Sequence, residues 1–309
     1  MSDNRSMKSP GVIAPILTPF NDDLSVARHL YVAHAKWLFE QGCVGIAPFG
    51  TTGEALSVGI DERIAAVRAL VDGGIDPATM IPGTGLSNVA DTARLSRACL
   101  DMGCNAVMTL PPFYYKGVTD DGLYDYFRQL ILTIGPDARI YLYHIPPIAI
   151  VGVPPALAAR LHLEFPEQII GIKDSSGDWA NTRALLEIDG LTVYPGSELP
   201  LIDAMEFGAA GCISASANLN ARAIATVVDR YEQGDVIAAR ELHEIVKRFR
   251  LLVDEYSPIP AQKRLLAMAT GDPRWANVRP PLRAMSVERG GELADRLDDA
   301  HWDIPDLTY

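Results

Sequence analysis

The feature that most constrains the fold is a regular alternation of short apolar runs with longer amphipathic segments, which starts near the N-terminus. Between successive runs there is enough sequence for one crossover helix, and this pattern favours a parallel sheet built from strand–helix units. The predicted strands are Val12–Leu17, Val44–Phe49, Met80–Pro82, Ala106–Leu110, Ile140–Tyr143, Ile169–Ile172, Thr192–Tyr194 and Cys212–Ser214. Eight such units predict an α/β fold, a closed (β/α)8 TIM barrel.

Helical periodicity occurs between the strands and continues beyond the last one. The predicted barrel helices include Leu30–Phe39, Arg63–Val71, Val89–Met102 and Leu123–Leu132. After the eighth strand the predicted helices are Ala221–Gln233, Val236–Val253, Pro260–Thr270 and Gly291–Asp298. We therefore divide the 309 residues into a barrel core, 1–220, and a last barrel helix with a C-terminal helical extension, 221–309. No low-complexity linker separates the two parts, so we expect one structural unit.

Composition excludes several classes of partner. The chain has 27 basic and 39 acidic residues, a net charge of −12 and no long basic run, so nucleic acid is not expected. The four cysteines are scattered, which indicates neither a disulfide framework nor a zinc site. The polar segment Met1–Pro10 lacks a signal core, and the uncharged stretch Ile145–Ala159 is shorter than the ~20 residues of a membrane span. We expect a cytoplasmic protein with no membrane partner.

Lys173 is the strongest candidate for a catalytic residue. Functional side chains of a barrel lie at the C-terminal ends of its strands, and Lys173 directly follows the apolar run Ile169–Ile172. Burial of a lysine favours the neutral amine, a nucleophile that can form a Schiff base with a carbonyl group. The local sequence leaves an alternative open, in which Lys173 reaches water or pairs with Asp174.

Three further features fall at predicted strand ends. The glycine-rich turn Phe49–Glu54 can bind a carboxylate through backbone N–H groups and hydroxyls, or can simply cap the next helix. Tyr143 can move a proton beside an imine, or can pack with its hydroxyl satisfied. The aromatic loop Pro111–Tyr115 suits either the site or an oligomer contact. Each signal is weak alone, but together they surround one lysine at one end of the barrel.

These residues resemble the dihydrodipicolinate synthase and N-acetylneuraminate lyase family of class I aldolases, over nearly the whole chain. The matching motifs are Gly50–Glu54, Gly83–Gly85, Pro112–Tyr115, Tyr143–Pro146, Gly171–Asp178 and Gly208–Ser214. The resemblance implies that Lys173 forms an imine with pyruvate or another 2-oxo acid and that Tyr143 moves protons. It also implies that Thr51 links Tyr143 to Tyr114, which a neighbouring subunit supplies.

The resemblance further implies a pyruvate pocket and an assembly. The turn of Gly50, Thr51 and Thr52 would bind the carboxylate, and the backbone near Ile213 would complete the pocket. No metal or organic cofactor is required. The partners are a 2-oxo acid and an aldehyde, and the chain is expected to form a homotetramer, a dimer of dimers.

Departures from the family pattern concern the second substrate. Ile148 occupies the position of the arginine that binds the carboxylate of the aldehyde partner, which argues against lysine-pathway synthase activity. His144 replaces the usual asparagine and either faces the distal pocket or packs. Gly196, Ser197 and Glu198 retain part of the polar set that reads a hydroxylated chain.

These departures favour a lyase that cleaves or forms a 4-hydroxy-2-oxo acid, preferably a 2-oxo-3-deoxy sugar acid. The apolar segment after Ile148 keeps a less polar aldehyde open. The alternatives are a condensing synthase of the dihydrodipicolinate type, a dehydratase that uses the same imine, and a non-catalytic protein that binds a 2-oxo acid.

Overall fold

The computed structural model describes residues 10–299 and contains seven strands arranged in parallel. They are β1 Gly11–Ala14, β2 Cys43–Ile46, β3 Val107–Thr109, β4 Ile140–His144, β5 Ile169–Asp174, β6 Thr192–Pro195 and β7 Gly211–Ile213. Two hydrogen-bonded sheets have the orders β2-β1-β7 and β3-β4-β5-β6. The order matches successive strands of a barrel with two interruptions, one between β2 and β3 and one between β6 and β7.

Single bridges and hydrogen bonds close both interruptions. The predicted third strand, Met80–Pro82, is reduced to isolated bridges that pair Ile46 with Met80 and Gly83 with Met108. Pro82 has no N–H to donate to a ladder, which accounts for the lost strand. On the other side, the Ala210 N–H donates to the Val193 carbonyl at 3.0 Å. The eight predicted units therefore form a closed barrel, and seven of them carry regular strands.

Helices follow the strands and cover the barrel. The helices around the barrel are α1 Arg28–Glu40, α2 Ile60–Asp72, α3 Val89–Asp101, α4 Asp120–Ile134, α5 Pro146–Ala149, α6 Pro155–Glu164, α7 Trp179–Leu186, α8 Leu201–Glu206 and α9 Ala217–Glu232. Beyond them lie α10 Val236–Asp254, α11 Pro258–Thr270 and α12 Val287–Asp299. Helix α9 begins at Ala217 rather than at the predicted Ala221, and the short α5 was not predicted.

Apolar side chains form two cores. The larger core lies between the strands and the helices, and the smaller one fills the barrel with residues that include Ile13, Met108, Tyr143, Tyr194 and Ile213. All four cysteines are buried free thiols. No described helix is long and apolar enough to cross a membrane. Within residues 10–299 there is also no cluster of side chains that could bind a metal ion.

Candidate active site

Tyr143 and Lys173 occupy paired positions on the adjacent parallel strands β4 and β5. Their side chains point into the barrel together, so the Lys173 Nζ lies 3.5 Å from the Tyr143 hydroxyl oxygen and 4.6 Å from the centre of its ring. Lys173 is only 4% exposed. Strand geometry alone thus brings a buried amine and a phenol together.

The alternative partner of Lys173, Asp174, is engaged elsewhere. The Asp174 carboxylate accepts hydrogen bonds from the Thr182 hydroxyl at 2.6 Å and the Ser176 N–H at 2.9 Å. No carboxylate in the described part of the chain forms an ion pair with Lys173. Because Lys173 is buried and lacks a carboxylate partner there, it does not have the environment of a structural surface lysine.

The glycine-rich turn after β2 brings Thr51 to the same hydroxyl. The Thr51 Oγ1 is hydrogen-bonded to the Tyr143 hydroxyl at 3.2 Å. The turn is flanked by two non-glycine residues with positive φ, Phe49 at 58° and Glu54 at 55°. A conformation of this kind costs on the order of 1 kcal/mol or more per residue and clusters at functional sites. Lys173, Tyr143 and Thr51 therefore form one continuous chain of polar contacts.

A cavity of about 380 Å³ opens next to this chain of contacts, at the C-terminal end of the strands. Thr51 and Tyr143 line it, and most of the remaining wall is apolar, with Leu56, Leu110, Phe113, Ile145 and Ile148. The cavity therefore combines a few convergent hydroxyls with an apolar wall, the usual composition of a small-molecule site.

Only one basic side chain, Lys116, occurs among the described residues that line the cavity. Its ammonium donates hydrogen bonds to the carbonyl oxygens of Phe113 and Ala149, the second at 3.3 Å. Two of its three donors are thereby occupied. The acidic side chain in the lining, Glu54, is itself buried.

Comparison with known proteins decides the family. The model of the dihydrodipicolinate synthetase family matches residues 8–300. An uncharacterized DapA-like lyase of Chloroflexus aurantiacus is 33% identical over 285 residues, which cover 92% of this chain and 94% of that protein. The 4-hydroxy-tetrahydrodipicolinate synthase of Methanothrix thermoacetophila is 31% identical over 93% of this chain and 95% of its own.

A solved structure agrees. The dihydrodipicolinate synthase of Agrobacterium tumefaciens superimposes with a TM-score of 0.84 and 32% identity, covering 94% of this chain and 99% of that one. The chain belongs to the dihydrodipicolinate synthetase family. It is therefore a class I carbon–carbon lyase with a TIM-barrel fold, and the general expectation from sequence is confirmed.

Several residues predicted from the family resemblance lie together. Gly50 and Thr51 line the cavity, and Thr52 is half-buried in the same turn without lining it. Ile213 is fully buried on β7, where it pairs with Ile13 and belongs to the same inner core as Tyr143. Lys173 and Ile213 do not line the cavity among the described residues, although Lys173 contacts Tyr143, which does.

Glu198 and Gly196, predicted to contact substrate, lie away from this cavity. Glu198 is fully buried, and its Oε2 accepts a hydrogen bond from the Ser214 hydroxyl. Its backbone carbonyl accepts a 2.6 Å hydrogen bond from the His243 Nε2. Gly196 and Ser197 line a second cavity, of about 520 Å³, which also contacts Asp174 and Pro195 at the ends of β5 and β6.

His144 is the last residue of β4, and its ring packs against the loop that follows the strand. Its Nδ1 accepts a 2.8 Å hydrogen bond from the Val153 N–H, and a Cβ at Gly152 would lie 2.6 Å from its ring. Burial lowers the pKa of His144, and the negative charge of Asp174 opposes that shift. The ring does not line the cavity among the described residues, so the structure places it as a support of the loop.

Tyr114 is exposed on the outer surface of its own chain. It is 74% exposed and packs edge-to-face on Tyr115, with ring centres 5.6 Å apart. Within residues 10–299 of one chain it makes no hydrogen bond to Thr51. The described part of one chain therefore does not bring Tyr114 and Thr51 together.

Sequence reasoning missed two features of the site. Tyr194 on β6 is the second paired neighbour of Lys173, and the end of a predicted strand was a signal for it. Lys263 of α11 forms a buried ion pair with Glu54 of the glycine-rich turn. The two residues are 209 positions apart, so no local pattern connects them.

Proposed function

We propose that Lys173 forms an imine with the keto carbon of a 4-hydroxy-2-oxo acid and that the enzyme cleaves this adduct into pyruvate and an aldehyde. The amine attacks the carbonyl carbon and water leaves, and the protonated imine then accepts the electron pair of the breaking C3–C4 bond. The aldehyde departs and an enamine remains. Protonation at C3 and hydrolysis release pyruvate and regenerate the amine. The observation that carries this proposal is the chain of contacts from buried Lys173 through Tyr143 to Thr51.

Tyr143 is the proposed proton carrier. Its hydroxyl is within hydrogen-bonding distance of both the amine and Thr51, and it lines the cavity in which the substrate would lie. In cleavage it would accept the proton of the C4 hydroxyl, and it would return a proton to C3 of the enamine. Thr51 would pass protons between Tyr143 and Tyr114 of a neighbouring subunit.

The turn of Gly50, Thr51 and Thr52 is the proposed carboxylate site. Its backbone is fixed by the two flanking residues with positive φ, Phe49 and Glu54. Ile213, the C-terminal residue of β7, would close the other side of the pyruvate pocket. We further propose a homo-oligomer, a dimer of dimers, in which the exposed Tyr114 of one chain contacts Thr51 of its neighbour.

The cavity favours an aldehyde of low polarity. The wall beyond Tyr143 consists mainly of apolar side chains, among them Ile145 and Ile148. The polar residues expected to read sugar hydroxyls are either fully buried, as Glu198 is, or lie on the other cavity, as Ser197 does. This arrangement favours a 4-hydroxy-2-oxo acid with a less polar tail over the sugar acid expected from sequence.

A 2-oxo-3-deoxy sugar acid is the second candidate, because one observation favours it. The Oε1 of Glu198 is buried and has no hydrogen-bond partner among the described residues. Buried polar atoms usually have a hydrogen-bond partner, so this oxygen is an available acceptor for a substrate hydroxyl.

An anionic aldehyde fits the cavity poorly. The arginine position of the synthases is Ile148, and the ammonium of Lys116 is already engaged by two carbonyls. A condensing synthase is therefore less well supported. A dehydratase would use the same imine and differs only in its product. A protein that only binds a 2-oxo acid would not need the contact between Tyr143 and Lys173.

Product analysis on a substrate panel tests the assignment. Purified protein is given 4-hydroxy-2-oxo acids with apolar, aromatic and polyhydroxylated tails, and both pyruvate and the dehydrated acid are quantified. Condensation of pyruvate with aspartate semialdehyde is measured alongside. Fastest pyruvate release from an apolar or aromatic substrate supports the proposal. Fastest release from the sugar acid supports the second candidate, and efficient condensation with aspartate semialdehyde contradicts our interpretation of Ile148.

A further inference from the structure

The C-terminal extension contacts the catalytic turn through a fully buried ion pair. Lys263 of α11 donates from its Nζ to the Glu54 Oε1, and their side chains are 0% and 1% exposed. Glu54 ends the turn that carries Thr51, and its N–H donates to the Thr51 carbonyl at 3.1 Å. The extension thus contacts the residue that closes the turn.

Each member of the pair has additional partners from distant parts of the chain. The Lys263 Nζ also donates to the Asn277 carbonyl at 2.7 Å and lies 4.3 Å from the centre of the Phe20 ring. The Glu54 Oε2 accepts a 3.0 Å hydrogen bond from the Arg279 N–H. Both carboxylate oxygens of Glu54 are therefore bound by the segment 263–279, and the turn has one defined position relative to it.

Stability alone does not account for this arrangement. A buried ion pair is often no more stabilising than apolar residues of the same volume, because both charges lose their hydration. Glu54 also adopts a left-handed backbone conformation, with φ 55° and ψ 36°, that the surrounding contacts must maintain. What the pair does provide is a fixed direction for the Glu54 side chain and hence for the turn.

We infer that Lys263 and Glu54 are positioning residues that keep the Thr51 hydroxyl within hydrogen-bonding distance of Tyr143. The inference rests on the proposed function, since it assigns the pair a role in the proton transfer that Tyr143 and Thr51 perform. The 3.2 Å contact between these two hydroxyls depends on the position of the turn. A shift of a few tenths of an ångström would lengthen it beyond a good hydrogen bond.

Exchange of the methyl protons of pyruvate for deuterium in D2O provides the test, because it requires the imine, the enamine and proton transfer but no aldehyde. Rates at saturating pyruvate are compared for native protein, Lys263→Met/Glu54→Gln, Thr51→Val and the triple variant. We expect the paired change to slow exchange about tenfold or more in the native background and less than about threefold when Thr51 is already valine.

The control is Arg274→Met, which breaks the neighbouring, partly exposed ion pair between Arg274 and Asp272 in the same extension. It should leave exchange within about threefold of native. Equal losses in the threonine and valine backgrounds would overturn the inference, because a general loss of stability acts regardless of Thr51. If the paired variant does not fold, Lys263→Met/Glu54→Met replaces the pair by apolar residues of similar volume, and the same two outcomes apply.

The failure of the proposed function would be recognised separately. In that case the native protein itself would neither exchange the methyl protons nor form a borohydride-stable adduct with pyruvate. If the native protein does both and the paired change has the same effect in the two backgrounds, only the positioning role is refuted.

Discussion

Tyr143 and Lys173 are direct partners in the register of two adjacent parallel strands, with the phenol oxygen and the amine nitrogen 3.5 Å apart. Since both residues belong to strands of the barrel, the backbone hydrogen bonds of the sheet maintain this distance. Sites built on strands are more rigid than sites built on loops. The mobile parts of catalysis should therefore be the loops around the cavity.

Replacing Tyr143 by phenylalanine should slow proton transfer and leave imine formation possible. We expect methyl-proton exchange of pyruvate to fall by about 10² or more, because the general acid–base group is lost. Borohydride should still trap pyruvate on Lys173. Tyr141→Phe, two residues earlier on the same strand and in the same inner core, is the matched control and should stay within about threefold of native. Equal effects of the two changes would argue against a special role for Tyr143.

An arginine at position 148 should create recognition of a second carboxylate. Ile148 lines the cavity and is 63% exposed, so a guanidinium there can be accommodated. The ratio of kcat/KM for an aldehyde with a carboxylate to that for a neutral one of similar length should rise about tenfold in Ile148→Arg. Ile148→Leu should leave the ratio unchanged. An unaltered ratio in the arginine variant would show that this residue does not face the second substrate.

Tyr114 can be tested by mixing two inactive variants. Lys173→Ala and Tyr114→Ala should each be nearly inactive alone, and mixed oligomers should regain exchange activity because one chain supplies the lysine and its neighbour the tyrosine. Random assortment in dimers predicts recovery of about a quarter of the native sites. Mixtures that regain no activity after subunit exchange, shown by mass measurement of mixed oligomers, would refute a contribution from the neighbouring chain.

His34 should make the fold sensitive to mild acid. It is fully buried between Trp37 and Trp275, and burial lowers its pKa from the ordinary 6.5 to about 4. Between these two pH values the unfolded state binds more protons than the folded state, so stability falls as pH falls from about 6.5 to about 4. The full loss is roughly 3 kcal/mol.

Denaturant unfolding across this pH range measures the loss. His34→Gln should flatten the dependence of the unfolding free energy on pH, whatever its effect on absolute stability. His29→Gln, an exposed position on the same helix, should not. Burial also lowers the pKa of His144 and His243, so part of the slope should remain in the His34 variant. An unchanged slope would contradict the assignment to His34.

The barrel could be predicted because its signals are local. Each apolar run and each amphipathic segment is readable within a short window, and the runs agree with the strands to within a few residues. The exception is Met80–Pro82, where the apolar pattern was present but the missing N–H of proline prevented a regular ladder. The start of α9 at Ala217 was also missed, because Asn218 and Asn220 interrupt the apolar pattern of its first turn.

The residues of the candidate site could be predicted only at the ends of strands and in the turns directly after them. Tyr143 ends a predicted strand and Lys173 directly follows one, and the register of the sheet brings them together. The orientation of side chains beyond the strands did not follow from sequence, since whether Glu198 faces the cavity or Ser214 depends on how its loop folds. The Lys263–Glu54 pair depends on packing of the extension against the barrel, which no local pattern reveals.

Schiff-base formation at Lys173 is tested most directly by the mass of the protein after incubation with pyruvate and borohydride. We predict that the native chain gains the mass of one reduced pyruvate, that peptide mapping locates the adduct on Lys173, and that Lys173→Ala gains nothing. Lys116 and Lys263 are internal controls, because Lys116 lines the cavity beside Tyr143 and Lys263 is buried as Lys173 is. A native protein that remains unmodified, or an adduct located on Lys116 or Lys263, would contradict the central role of Lys173.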